Sequence, residues 1–199
     1  MKTYPSITKD IRNDIYIYAF DKLDGSNIRA EWNPKKGFYK FGTKNQLIDS
    51  ESPFIKAIDL VKEKYQDDLS NKWESVICFL EYHGPSSFAG SHSDSDKHTV
   101  TLFDVNPYKR GLLEPEEFLK YFSHLDIPNL LYEGYADVNL FDQVKQSKLN
   151  GMTFEGIVCK GANDKKTKAP IMFKIKSQAW LDKLKNYCKD DEVLYKKLM

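Results

Sequence analysis

The chain has 199 residues, with 30 Lys+Arg against 29 Asp+Glu and a formal net charge of +1. At 41% hydrophobic, 14% aromatic and 30% charged it has the make-up of a globular protein, which excludes a disordered chain. Its length suffices to bury one sizeable core without a metal or disulfide staple. No apolar run reaches the roughly 18–20 residues that span a bilayer, and charged Lys9, Asp10, Arg12 and Asp14 follow the start where a signal peptide would be apolar. Cys78, Cys159 and Cys188 are odd in number and far apart, which fits free thiols in a reducing, cytoplasmic compartment. The balanced charge leaves nucleic acid open as a partner, because a basic groove can hide inside a neutral total.

In chain order, Ile15–Phe20 is a β-branched and aromatic run that reads as a strand, followed by the turn signal Asp24-Gly25. Ser26–Trp32 alternates, with Ile28, Ala30 and Trp32 on one face and Asn27, Arg29 and Glu31 on the other. Residues 33–37 form a turn, and Phe38–Phe41 is the next strand. A helix opens at Ser52-Pro53, carrying Phe54, Ile58, Val61 and Tyr65 at helical spacing. Val76–Tyr82 is apolar on both faces, as in a covered strand, and Thr99–Val105 is another. The Gly-, Ser-, Asp- and His-rich stretch Gly84–His98 between them is a loop. Helices are expected over Glu114–Phe122 and Leu140–Leu149, strands over Gly156–Lys160 and Ile171–Lys176, and a helical tail over 178–199. Strands and helices do not alternate, so the expected class is α+β with largely antiparallel sheets flanked by helices, in one domain over 1–199.

Chemistry concentrates in a few places. Lys22 ends the first strand, with Asp24 and Gly25 just beyond it, which sets an amine beside a tight turn where main chain can approach a phosphate. A free lysine is almost wholly protonated at neutral pH, so a nucleophilic Lys22 needs burial and neighbouring cations. Lys174 and Lys176 share one face of the 171–176 strand, opposite Ile171, Phe173 and Ile175, and repel each other unless an anion lies between them; a polyphosphate is the natural one. Glu81 and Glu155 sit at ends of apolar strands, where a carboxylate is costly unless paired or metal-bound. Phe103 offers a face for a base, or simple core packing. His83, His92 and His98 with Asp94 and Asp96 crowd one loop without any zinc spacing, so a loop closing over ligand is the favoured reading. The basic stretch Lys160, Lys165, Lys166 and Lys168 is either a phosphate contact or a solvated loop.

The order Lys-x-Asp-Gly-Ser, Glu81, Phe103-Asp104, Glu155-Gly-Ile-Val, then Lys174-x-Lys176 resembles the covalent nucleotidyltransferase superfamily. Within it, Lys22–Asn27, the run Phe173–Ser177 and Trp180 look most like ATP-dependent RNA ligases. The resemblance implies that Lys22 attacks the α-phosphate of ATP to form lysyl-AMP, and that Asp24 and Glu155 hold Mg²⁺, with Mn²⁺ as the alternative. It implies an ATP-binding set of Asp21, Lys22, Asn27, Arg29, Lys44, Glu81, Phe103, Glu155, Lys174 and Lys176: Glu81 on the ribose, Phe103 stacked on adenine, Lys174 and Lys176 on the α-phosphate. Lys44 stands where the family often has arginine, and a lysine makes no bidentate contact. The implied partners are ATP and nucleic acid, in the first place RNA, with 5′-phosphate and 3′-hydroxyl ends; no membrane is expected, and a monomer is. The short stretch after Lys176 is expected to hold no OB or separate C-terminal domain, which argues against a DNA ligase or a GTP-using guanylyltransferase. Those enzymes and a non-catalytic binding module are the alternatives.

Overall fold

Alternation of apolar side chains builds two separate four-stranded antiparallel sheets in the computed structural model, which describes residues 1–69, 73–85, 87–88, 95–167, 169–189 and 191–199. The strands and helices in chain order are β1 (Tyr16–Asp21), β2 (Ser26–Asn33), β3 (Gly37–Thr43), α1 (Ile55–Tyr65), β4 (Val76–His83), β5 (Thr99–Pro107), α2 (Pro115–Phe122), β6 (Leu130–Tyr135), α3 (Val138–Lys145), β7 (Gly156–Lys160), β8 (Met172–Lys176), α4 (Gln178–Cys188) and α5 (Glu192–Leu198). The α+β expectation holds. Two compact units emerge, one of residues 1–6, 25–87 and 92–128, the other of 7–24, 88–91 and 129–199.

The first unit carries the sheet ordered β3-β2-β4-β5. Ile28, Ala30 and Trp32 are buried, as their alternation predicts, and so are Val76, Cys78, Leu80, Val100 and Leu102 on the paired strands. Burying each of Ile28, Val76, Leu80, Val100 and Leu102 contributes about 1.5–3 kcal/mol. Helix α1 is fixed to β5 through Tyr65, whose hydroxyl meets the Val100 carbonyl at 3.1 Å and takes the Leu102 N–H at 3.1 Å. That helix starts at Ile55, three residues after the expected opening, because Ser52 uses its Oγ to accept from Phe54 N (3.2 Å) ahead of the first turn.

The second unit carries the sheet ordered β6-β1-β7-β8. Ile17, Ala19, Ile157, Cys159, Phe173 and Ile175 form one buried cluster with Leu140, Phe141 and Val144 of α3. The alternating residues Phe20, Val158, Lys174 and Lys176 take the opposite face. Three details depart from the sequence expectation. Edge strand β6 is additional. Helix α3 runs over Val138–Lys145, capped by Asp137 accepting from Leu140 N at 2.7 Å, and Ser147 at φ 56° ends it before Leu149. The tail is two helices, because Lys189 turns to φ 50° and Asp191 caps a new start. Among the described residues no helix is long and apolar enough to cross a membrane. Cys78, Cys159 and Cys188 are free and buried.

Candidate active site

In the second unit the end of β1 brings Lys22 to the start of β7. Asp21 N donates to the Asn129 carbonyl and Lys22 N to the Gly156 carbonyl, each at 2.9 Å, so the main chain fixes where the Lys22 side chain begins. Its Nζ donates to Glu155 Oε2 at 2.9 Å. The other oxygen of that carboxylate, Oε1, lies 3.0 Å from Lys176 Nζ. Glu155 is 4% exposed, so the expectation that a carboxylate at this strand end must be paired is met twice over. Its own main chain is held by Ser177 N donating to the Glu155 carbonyl at 3.0 Å. Gly156 next to it is at φ +136°, and a Cβ there would sit 2.0 Å from the Ile175 carbonyl oxygen. Only glycine lets β7 and β8 close up behind Glu155.

Lys176 is the second member of this cluster. Ser177 caps α4 by accepting from Trp180 N (3.1 Å) while donating to the Phe154 carbonyl (2.6 Å), and this sets the Trp180 indole under Lys176 Nζ, 3.2 Å from the ring centre. The side chain is only 9% exposed. Burial is the main force that lowers the Lys176 pKa to about 8; Lys22 and Lys174 push it down too, and Glu155 opposes them. Lys174 is therefore close enough to feel its partner, and the shared face expected for Lys174 and Lys176 is present. Asp21 lies beside Glu155 as well. Its Oδ1 accepts from Thr153 N at 3.0 Å, while its Oδ2 is buried without a hydrogen-bond partner among the described residues. Burial, reinforced by Glu155, raises the Asp21 pKa. Three ammonium groups and two carboxylates thus share one corner, an arrangement that gains from a polyanion entering between the cations. Asp24 is half-buried, three residues beyond Asp21.

The first unit holds the other expected residues. Asn27 and Glu81 are cross-strand partners in the β2/β4 register, both partly buried, and among the described residues the buried Asn27 Oδ1 has no hydrogen-bond partner. Arg29 is expected to meet a phosphate; instead its Nε donates to the Thr43 carbonyl at 2.7 Å and its Nη1 to the carbonyls of Met1 and Lys2 at 3.1 Å. At 5% exposure the guanidinium must satisfy its donors internally, and the nearest acceptors are main chain. Lys44 is exposed in the loop after β3. Phe103 is half-buried on β5, where the register slips opposite Phe79/Leu80. Gly25 has a further reason beyond room for a phosphate: a Cβ there would lie 2.3 Å from the Tyr82 carbonyl oxygen.

Sequence reasoning gave Lys22, Glu155, Lys174 and Lys176 a common anion, but it missed Tyr4, whose hydroxyl donates to Asp104 Oδ2 at 2.7 Å. In the histidine loop, His83 Nε2 is 3.0 Å from Thr101 Oγ1 and His98 stacks on Tyr82 at 5.0 Å, while His92 and Asp94 lie outside the described residues. Among the described residues no group of three or more His, Cys, Asp or Glu could hold a metal by itself. Of the basic stretch, Lys160 is buried over the Phe20 ring at 5.1 Å, Lys165 and Lys166 are exposed, and Lys168 lies outside the described residues.

Comparison with known proteins bears on the family and the fold. A sequence model of the family described as RNA ligase matches residues 15–176. The fold is similar to a Naegleria gruberi RNA ligase solved with PPi, at TM-score 0.68 and 15% identity over 94% of this chain and 58% of that one. It is also similar to an archaeal ATP-dependent RNA ligase, at TM-score 0.64 and 15% identity over 94% of this chain and 52% of that one. A mutant of the Naegleria gruberi enzyme with ATP and Mn gives TM-score 0.62 and 16% identity over 92% and 59%. The chain thus spans a little over half the length of these solved proteins. Among curated proteins no significant match is found. With the family match running from the start of the first strand region through Lys176, and with the expected lysines gathered on Glu155, the chain belongs to the RNA ligase family.

Proposed function

We propose that residues 1–199 act as one ATP-dependent nucleotidyltransferase domain of an RNA ligase, with Lys22 as the nucleophile. The observation that carries this is the Glu155 carboxylate shared by Lys22 and Lys176. In the ion pair Lys22 keeps its proton and has no lone pair to offer. When a triphosphate enters, Lys174 and Lys176 meet its α-phosphate, and Glu155 has to give up its hold on Lys22. The freed ammonium gives one proton to water and the resulting amine attacks: an N–P bond forms at the α-phosphorus, the bond from that phosphorus to the bridging oxygen breaks, pyrophosphate leaves with the electron pair, and a second proton passes from the nitrogen to water. Little covalent help is needed, since positioning and charge do the catalysis. AMP then moves to an RNA 5′-phosphate, and a 3′-hydroxyl displaces it.

Asp21 and Glu155, with Asp24 nearby in the chain, suit a hard divalent cation such as Mg²⁺ or Mn²⁺, which binds one or two carboxylates together with phosphate oxygens. The buried Oδ2 of Asp21, which has no hydrogen-bond partner among the described residues, supports this fit. Once bound, such an ion neutralises phosphate charge and competes for the carboxylates. The solved relatives bound to PPi or to ATP and Mn point the same way. Asn27, Glu81, Phe103 and Lys44 remain the proposed nucleoside and end-phosphate contacts, whereas Arg29 acts by holding main chain. The test is incubation with α-labelled ATP or GTP and Mg²⁺, followed by a search for acid-labile protein label, with Lys22→Ala as control. Label from ATP supports the reading; label from GTP alone makes the chain a guanylyltransferase, and none from either makes it a binding module.

A further inference from the structure

We propose that the end of the first unit's sheet bearing Tyr39 and Tyr108 is a docking surface for single-stranded RNA, remote from the nucleotide site. The inference goes beyond the nucleotidyltransferase reading, since it needs no reaction at Lys22, and it concerns residues of the first unit alone. β2, β4 and β5 pair through Trp32, Val76 and Pro107, so Asn33, Ser75 and Tyr108, one residue further along each, gather at one end of the sheet. Two exposed tyrosines are fixed there. The Tyr39 hydroxyl donates to Glu31 Oε2 at 3.1 Å, with the Asn33 and Ser75 side chains beside it. Tyr108 N donates to the Ser75 carbonyl at 2.9 Å. Both residues are thus tied to Ser75, and they are 41% and 57% exposed.

A single exposed aromatic is ordinary, but each of these carries a lysine. Lys36 Nζ lies 5.3 Å from the Tyr39 ring centre and Lys109 Nζ 5.0 Å from that of Tyr108. Lys109 is set there by main chain at φ 62°, a left-handed conformation that lysine rarely adopts. Of the carboxylates around them, Glu31 is engaged by the Tyr39 hydroxyl and Glu117 by Arg110 at 3.0 Å, while Glu74 is exposed. Among the described residues, the exposed Lys35, Lys36 and Lys109 form no ion pair, so the surface is left cationic. Planar rings flanked by ammonium groups suit a polynucleotide, whose bases stack in any order while its phosphates take the cations. An acidic peptide would use the cations and leave the rings idle. The lysines ride on long exposed stems, so each moves from ring to phosphate as a base takes its place. RNA is the polynucleotide chosen because the chain belongs to the RNA ligase family. Asn27 and Asn33 stand at opposite ends of β2, about 20 Å apart, so this surface grips nucleotides far from the contact proposed for Asn27.

Fluorescence anisotropy of the full chain with a labelled single-stranded RNA of about 20 nucleotides tests this. The parent is compared with Tyr39→Leu/Tyr108→Leu, Tyr39→Phe/Tyr108→Phe and Lys36→Ala/Lys109→Ala. The leucine pair should raise Kd about tenfold or more, while the phenylalanine pair stays within about threefold of the parent because it keeps the rings. The alanine pair should flatten the slope of log Kd against log salt by about 1.4. Inorganic polyphosphate, which has no bases, should bind the leucine pair as it binds the parent. An unchanged RNA Kd in the leucine pair overturns the inference. So does an equal weakening of polyphosphate, which would mark a merely charged surface fit for an acidic partner, and so does tighter binding of single-stranded DNA than of RNA of the same sequence. If melting shows the leucine pair unfolded, the alanine pair decides, and an unchanged salt slope overturns the inference. Labelling from ATP reports separately on Lys22: a parent that takes no label sinks the catalytic reading and leaves the RNA Kd to judge this one.

Discussion

Lys22 and Lys176 hold opposite oxygens of one carboxylate, at 2.9 and 3.0 Å, so neither ammonium can move without altering the other's environment. Glu155→Gln should therefore act on both. With Glu155 buried and Lys22 about one-fifth exposed, the loss of folding stability is expected to be roughly 1–3 kcal/mol, below that of a fully buried pair. Labelling from ATP should fall on the order of 10²-fold. Denaturant unfolding and labelling rate, measured on the same preparation, check this; a variant matching the parent in both would contradict it.

Lys176 gives a pH signature. Its pKa of about 8 in the folded chain lies below the ordinary 10.5, chiefly through burial. Below pH 8 both folded and unfolded chains carry the proton, and the cost of burying the ammonium is constant. Between about 8 and 10.5 the unfolded chain still holds a proton that the folded chain has shed, so stability gains with rising pH. Relative to Lys176→Met, the parent should become more stable from pH 8 to 10. A difference that stays flat, or falls, would show that Lys176 is not desolvated as described.

Asp21 should trade stability against metal use. Burial and Glu155 raise its pKa, so ionised Asp21 costs the folded state stability, and that cost grows as pH rises through the carboxylate range. Asp21→Asn keeps an oxygen for Thr153 N and removes the charge. The variant should be at least as stable as the parent at pH 7 without metal, yet need about tenfold more Mg²⁺ for half-maximal labelling. Unfolding curves and a Mg²⁺ titration decide it; an unchanged Mg²⁺ requirement removes Asp21 from the metal set.

Gly156 and Gly111 separate backbone strain from contact. Both have positive φ, but a Cβ at 156 meets the Ile175 carbonyl oxygen at 2.0 Å, while one at 111 meets nothing within 4 Å. Gly156→Ala should cost more than about 2 kcal/mol and disturb Glu155, whereas Gly111→Ala should cost about 1 kcal/mol and leave labelling intact. Equal unfolding midpoints for the two variants would contradict the contact argument.

What the sequence revealed of the fold followed from burial. Period-two alternation in Ser26–Trp32 and Ile171–Lys176 placed Lys174 and Lys176 on one face, because the opposite residues Phe173 and Ile175 have to be inside. A strand-end carboxylate such as Glu155 announced a partner for the same reason. Strand β6 escaped notice because it is an edge: its residues are exposed or partly so, and Gly134 interrupts them, which leaves no alternation to read. Arg29 was legible as a cation on the strand face it shares with Asn27 and Glu31 but not as a main-chain clamp, since carbonyl acceptors carry no side-chain signal. Tyr4 and the orphaned oxygen of Asp21 depend on contacts between residues distant in the chain, and local pattern is silent about those.

The central claim is that the Lys22 amine becomes covalently bonded to AMP. The direct measurement is intact and peptide mass spectrometry of the full chain after incubation with ATP and Mg²⁺, with pyrophosphate then added to one portion. The account predicts an AMP adduct on the peptide holding Lys22, lost on acid treatment, reversed by pyrophosphate and missing from Lys22→Ala. An adduct that persists in Lys22→Ala, or a parent chain that binds ATP but never carries AMP, would contradict it.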